Sequence, residues 1–172
     1  MDSPFFIQAV GFCALTLIVL SFQKNRKSFT LFLLLIAAFL FSIHYALLGA
    51  WTAALVNIIS AIRAFVFSLR GNDTWVDNNM TLYAFVVLFL LAGVFTIENI
   101  WSVLPVISMI IECFALWTKK TKYMRWLFFS ARPPWIIYNV LVGSYAGLIT
   151  EIFIVLSLTI AIIRFDILKQ KE

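Results

Sequence analysis

Seven uninterrupted apolar stretches, each about as long as a bilayer is thick, leave this chain few folds to choose from. They cover roughly residues 5–22, 29–48, 51–69, 80–97, 101–118, 124–143 and 145–163. A helix rising ~1.5 Å per residue needs about 20 residues to cross ~30 Å of hydrocarbon. Backbone groups there have no water to bond, so only helices or a closed barrel can cross. The apolar residues come in runs and not in alternation, which selects helices. Composition excludes a water-soluble domain: 63% of the residues are hydrophobic and 12% charged, against roughly 45–50% and about 25% in soluble proteins. The chain reads as an all-α integral membrane protein with seven transmembrane helices. The sixth is the least apolar, with Arg125, Arg132 and Pro133-Pro134, and the prolines predict a kink.

The net charge of +5 does not signal nucleic acid, because the basic residues cluster at span ends. Lys24, Arg26 and Lys27 follow the first span, Arg70 the third, Lys119, Lys120, Lys122 and Arg125 the fifth, and Arg164, Lys169 and Lys171 the seventh. With the N-terminus outside, these eleven of thirteen Lys and Arg face the cytoplasm, leaving Asp2 and Glu98 on the outer side. The expected orientation therefore has the N-terminus outside and the C-terminus cytoplasmic. The first span lacks the basic leader of a cleaved signal, so it is expected to stay. Cys13 and Cys113 lie inside spans and read as packing residues, with no Cys/His metal spacing and no expected cofactor or metal. The sequons at Asn72-Asp73-Thr74 and Asn79-Met80-Thr81 fall on the cytoplasmic side in this topology and are discounted.

Shifting the chain on itself by 94 residues places Arg70 on Arg164, Gly49 on Gly143, Ile43 on Ile137 and Ala37 on Ala131. Two triplets, 5–70 and 101–164, then flank a single span at 80–97. The odd linker gives both triplets one orientation, so they are expected to be parallel repeats about an axis along the membrane normal. This 3+1+3 plan resembles the SWEET, PQ-loop and PnuC-type transporters. Phe41 precedes Asn57 by 16 positions, as Trp135 precedes Glu151. In SWEET-like repeats an aromatic on the second helix and an Asn on the third line the solute pocket. Ser21-Phe22-Gln23 stands where a Pro-Gln pair is expected, without the Pro. Gly143-Ser144-Tyr145-Ala146 followed by Glu151 is similar to the last PnuC-type repeat. Over nearly its whole length the chain most resembles the bacterial inner-membrane YgjV family, a resemblance that implies a membrane location and names no substrate.

A charge in hydrocarbon costs from about 2.5 to above 10 kcal/mol, so intramembrane charges need partners or a cavity. Counted from the outer span ends, Arg132 and Glu112 lie roughly 16 Å deep and Arg63 roughly 18 Å, a midplane layer. Glu112 then pairs with one arginine and a second positive charge remains. Asn57 and Glu151 form a shallower level at about 9 Å, under His44 and Tyr138 at about 8 Å, with Phe41 and Trp135 as a floor at about 12 Å. Arg132, Trp135 and Asn139 share a helix face that offers a cation, a ring and an amide to a polar, ring-bearing solute. Glu151 either binds a cationic group or carries a proton.

Plainer readings stand beside these. Glu112–Arg132 also fits a structural ion pair, His44 a packing or capping residue, and Asn57 and Glu151 glue between helices. Trp51, Trp101 and Tyr145 on the outer side, and Trp117, Tyr123 and Trp126 on the inner, read as interfacial anchors. One histidine and no catalytic constellation argue against an enzyme. The expected function is small-solute transport by alternating access, with the bilayer and a small molecule as partners; a membrane scaffold without transport activity is the alternative. Oligomerisation stays open.

Overall fold

The computed structural model describes residues 4–21, 27–70 and 76–168, with the side chains of 5–20, 32–70 and 76–168. The loop charges Lys24 and Arg26, the Ser21-Phe22-Gln23 side chains, the sequon at Asn72, and Lys169 and Lys171 lie outside the described residues or side chains. Within them the chain is all-helical: α1 (Pro4–Ser21), α2 (Lys27–Leu47), α3 (Trp51–Ser68), α4 (Asn79–Thr96), α5 (Val103–Trp117), α6 (Thr121–Leu141) and α7 (Tyr145–Ala161). A 3-10 turn, Ile100–Ser102, leads into α5, and a π-helical segment, Ile162–Ile167, extends α7. Each apolar stretch of the sequence coincides with one helix. By length and composition, Trp51–Ser68, Asn79–Thr96, Ile100–Trp117 and Tyr145–Ile167 can each cross a membrane, and Phe5–Leu20 and Phe32–Leu47 are shorter apolar helices. In α6 the charges dilute the apolar run, yet the helix continues unbroken through Pro133 and Pro134.

α1, α2, α3, α5, α6 and α7 pack in that order around a ring, which α1 and α7 close. α4 lies outside it, against α3 and α5. It buries Leu82, Phe85, Phe89 and Ala92, one stripe of a helix that is apolar all round. Its other faces expose Met80, Val94 and Phe95, side chains that only lipid solvates cheaply. Small residues let the ring helices approach closely: Ala37, Ala53, Ala54, Ala131 and Ala146 are all buried.

Polar bonds identify the two ends of the bundle. At one end α2 turns into α3 and α6 into α7 by the same device. Gly49 and Gly143 adopt φ of 75° and 68°. The turns are closed by Ala50 N–H donating to Tyr45 O at 2.8 Å and Ser144 N–H to Asn139 O at 2.9 Å. Each of these positions lies 94 from its counterpart, as do both bounds of α2 and α6 and the starts of α3 and α7. Only glycine enters left-handed backbone without cost, so these turns are written into the sequence. At the opposite end Arg70 stacks on Trp117, its guanidinium carbon 3.7 Å from the ring centroid, and donates to Trp117 O at 2.8 Å. Arg125 grips Asp166 there through two hydrogen bonds, the shorter 2.6 Å.

Gly143→Ala isolates the conformational cost, because a Cβ at Gly143 meets no atom within 4 Å. The substitution is expected to destabilise the protein by about 1–2 kcal/mol, seen as a lower midpoint in thermal unfolding of the purified protein. An unchanged midpoint would show that this turn does not need left-handed backbone.

Candidate functional site

Four ionisable side chains from four helices meet inside the ring. Arg63 on α3 donates from Nη2 to Glu112 Oε2 on α5 at 3.0 Å. Arg132 on α6 donates from Nη2 to Glu112 Oε1 and from Nη1 to Glu151 Oε2 on α7, the latter at 3.1 Å. All four residues are buried, none more than 8% exposed. The remaining donors are partly met by the protein: Arg63 Nη1 bonds Met109 O at 3.0 Å, its Nη2 bonds Ser60 Oγ at 3.0 Å, and Arg132 Nε bonds Phe128 O at 3.0 Å.

Each arginine has a carboxyl group as partner, which corrects the expectation of a leftover cation. Glu112 bridges both arginines and Glu151 completes the set. Depth counted along the backbone put Glu151 a layer above Arg132; the reach of a long arginine side chain closes that gap. Such a chain is tolerable in low dielectric only while intact, since desolvating each ion costs several kcal/mol that its partner must repay.

The chain borders a cavity of about 140 Å³, lined by Phe41, Asn57, Glu112, Arg132, Trp135 and Glu151 among others. Phe41, Asn57, Trp135 and Glu151, anticipated as pocket residues, therefore share one space with Glu112 and Arg132. Arg63 stands behind Glu112. Asn57 Nδ2 donates to Ala53 O of its own helix at 2.9 Å. An empty apolar space of this volume holds a benzene-sized ring; here the wall also offers both signs of charge.

His44, Tyr138 and Asn139 have other neighbours, toward the glycine-turn end. His44 is fully buried, with Nδ1 2.8 Å from Ile7 O and Nε2 2.8 Å from Ser144 Oγ. A carbonyl only accepts, so Nδ1 carries the proton, and a neutral ring accepts the Ser144 hydroxyl at Nε2. Tyr45 Oη donates to Asn139 Oδ1 at 2.8 Å. Gln8 donates to Gly143 O at 2.8 Å and accepts from Tyr145 N–H at 3.2 Å. Together these bonds tie α1 and α2 to α6 and α7. Any side chain at Gly147 would collide with Tyr45 and Asn139 here. Tyr138 Oη and Asn139 Nδ2 are buried without a hydrogen-bond partner. Sequence reasoning missed Gln8 and Tyr45; the signal for Tyr45 was its 94-residue separation from Asn139. Among the described residues, no group of three or more His, Cys, Asp and Glu is placed to hold a metal ion.

Removing Arg132 orphans Glu151 and weakens Glu112. Arg132→Met is expected to destabilise the protein by about 3–5 kcal/mol. Adding Glu151→Gln removes the orphaned carboxylate and recovers part of that loss. Chemical denaturation in mixed micelles measures both variants, and strictly additive losses would contradict the pairing.

The family model described as "Bacterial inner membrane protein" (Imp-YgjV) matches residues 5–169. The inner membrane protein YgjV of Escherichia coli (strain K12) is 30% identical over 166 residues, covering 96% of this chain and 87% of that relative. No solved structure matches the chain. A match over almost the whole length, on a bundle of apolar helices whose four interior charges hold one another, places the chain in the Imp-YgjV family of bacterial inner membrane proteins.

Proposed function

We propose that this protein carries a small polar solute across the inner membrane by alternating access. In this reading it has seven spans, a periplasmic N-terminus and a cytoplasmic C-terminus. The halves 5–70 and 101–164 are SWEET-like parallel repeats joined by 80–97. It is a carrier and not an enzyme; the solute occupies the central cavity. One observation carries the reading: the cavity is lined by three pairs of residues 94 positions apart, Ile18 with Glu112, Phe41 with Trp135 and Asn57 with Glu151. Equivalent positions of two halves meeting at one cavity is the arrangement that transporters built from repeats use to hold solute.

The seams support it. α1 packs against α7 and α3 against α5, the same contact made twice between the halves. At the glycine-turn end α1's Gln8 holds the start of α7, while Glu98 accepts from Thr52 N–H at the start of α3 at 3.2 Å and from Ser102 Oγ at 3.2 Å. Gln8 and Ser102 are themselves 94 apart. These bonds are the closed periplasmic gate, with His44–Ser144 and Tyr45–Asn139 as its inner layer. Opening it exposes the unpartnered Tyr138 Oη and Asn139 Nδ2 to an entering solute. The volume limits the part of the solute held in this cavity to about the size of one ring, set between Trp135 and Phe41 and bonding Asn57 and the Arg132–Glu151 pair.

Uptake of labelled small polar solutes into proteoliposomes, screened against protein-free vesicles, tests transport directly. For a solute taken up, Glu151→Gln is expected to lower uptake about tenfold or more, the loss of one charge-assisted bond. Uptake unaltered by that change would make Glu151 a structural residue. A fluorescent protein fused after Glu172 is expected to fluoresce, and alkaline phosphatase at the same place to be inactive; the reverse pattern would overturn the orientation.

A further inference from the structure

A second void adjoins the first and is larger and more apolar. It is about 510 Å³, lies between α2 and α3, and its walls are mostly apolar, including Leu34, Ala38, Ala61 and Ala64. Ile18, Phe41 and Asn57 line both spaces, so the two meet there. From Phe41 it runs nine positions down α2 to Phe32, about 14 Å toward the arginine end. Its mouth is rimmed by Phe32, Leu35 and Phe65, all more than half-exposed or nearly so on the apolar flank of the bundle.

Helix spacing alone does not create this space. The positions 94 residues on, in α6 and α7, carry larger groups: Ala38 is matched by Arg132, Ala61 by Val155 and Ala64 by Leu158. Three wall positions of the first half are thus smaller than their counterparts, whereas Ala37 is matched by Ala131 and Phe65 by the smaller Thr159. A carrier for a fully polar solute gains nothing from an apolar void joined to its polar site, whereas a molecule reaching through both must be polar at one end and apolar along the rest.

We propose that the ligand of the central cavity is a single-chain amphiphile: a compact head that both donates and accepts hydrogen bonds at Asn57, Arg132 and Glu151, and an alkyl chain lying in the α2–α3 crevice. The proposal rests on the reading of the cavity as a solute site and narrows its substrate class. The crevice opens sideways to lipid, so the chain slides in from the bilayer while the head moves along the polar wall. The chain gains no hydrophobic energy on leaving lipid, which is equally apolar, so selectivity comes from the head and from the fit of the crevice.

A zwitterionic probe, N-dodecylglycine with a diazirine at the chain end, whose ammonium donates and whose carboxylate accepts, tests this in proteoliposomes of the full chain without any gradient. After illumination, peptides covering residues 32–38 and 60–65 are expected to be labelled saturably. A dodecane diazirine with no head is expected to label them no more than the lipid-facing surface of α4. Ala61→Leu with Ala64→Leu fills the crevice and is expected to cut crevice labelling about tenfold, with α4 labelling unchanged; Ala38→Leu repeats the test by a separate substitution if the pair fails to fold. Labelling of the crevice equal to that of α4, or crevice labelling by the headless probe as strong as by the zwitterion, overturns the proposal. Saturable labelling with no uptake of any solute would sustain the binding site and overturn transport, while uptake of polar solutes with no crevice labelling would do the opposite.

Discussion

Everything in this bundle is arranged around a charge chain buried among its helices. Arg63, Glu112, Arg132 and Glu151 come from four different helices, and each is held by at least one opposite charge. Burial turns that into a demand for order: a helix shift of a few ångströms separates an ion from its partner, and the cost in low dielectric is several kcal/mol. The chain therefore fixes the register of α3, α5, α6 and α7 against one another in a way that interchangeable apolar contacts between helices cannot. α1 and α2 contribute no member to it. They are held to the second half by neutral hydrogen bonds at the glycine-turn end, through Gln8, His44 and Tyr45. Strong pairing on one side of the cavity and weaker, neutral bonding on the other is a division suited to a bundle in which one part moves against another.

The same division explains where space is found. Three members of the ion chain, Glu112, Arg132 and Glu151, stand on α5, α6 and α7, and Arg63 reaches them from α3. On the side of α2 and α3, Ala38 stands at the position matching Arg132, and with Ala61 and Ala64 it lines an open space. The two halves share turns, helix lengths and seams but differ in their filling, so the cavity has a charged wall and an apolar wall.

Much of the scaffold was legible in the sequence because its causes are local. A bilayer sets the length of apolar runs, and left-handed turns demand glycine, so the helices and the turns at Gly49 and Gly143 could be read directly. The 94-residue offset was legible for the same reason. The site was half legible. Phe41, Asn57, Trp135 and Glu151 could be grouped by depth, but depth along a helix ignores the reach of side chains, and so the link between Glu151 and Arg132 was misplaced by a layer. His44 was grouped with the pocket by its level and Asn139 by the helix face it shares with Arg132 and Trp135; the structure gives each a partner across the seam, information that exists only once the helices are packed. Gln8 and the alanines of α2 and α3 were passed over because a glutamine near a span end and alanines within spans look like ordinary interfacial and packing residues.

The central claim is that a solute-accessible space lies beside this charge chain within the membrane. It is tested most directly at Asn57, in a protein made free of other thiols by Cys13→Ser and Cys113→Ser. In sealed vesicles of known orientation, Asn57→Cys is expected to react with a membrane-impermeant thiol reagent applied from the face of the Arg70–Trp117 end and to be protected from the face of the glycine-turn end, where Gln8, His44 and Tyr45 close the bundle. Failure to react from either face, in a protein whose unfolding is unchanged, would mean that position 57 is sealed in packed side chains or lipid, and the account would be wrong.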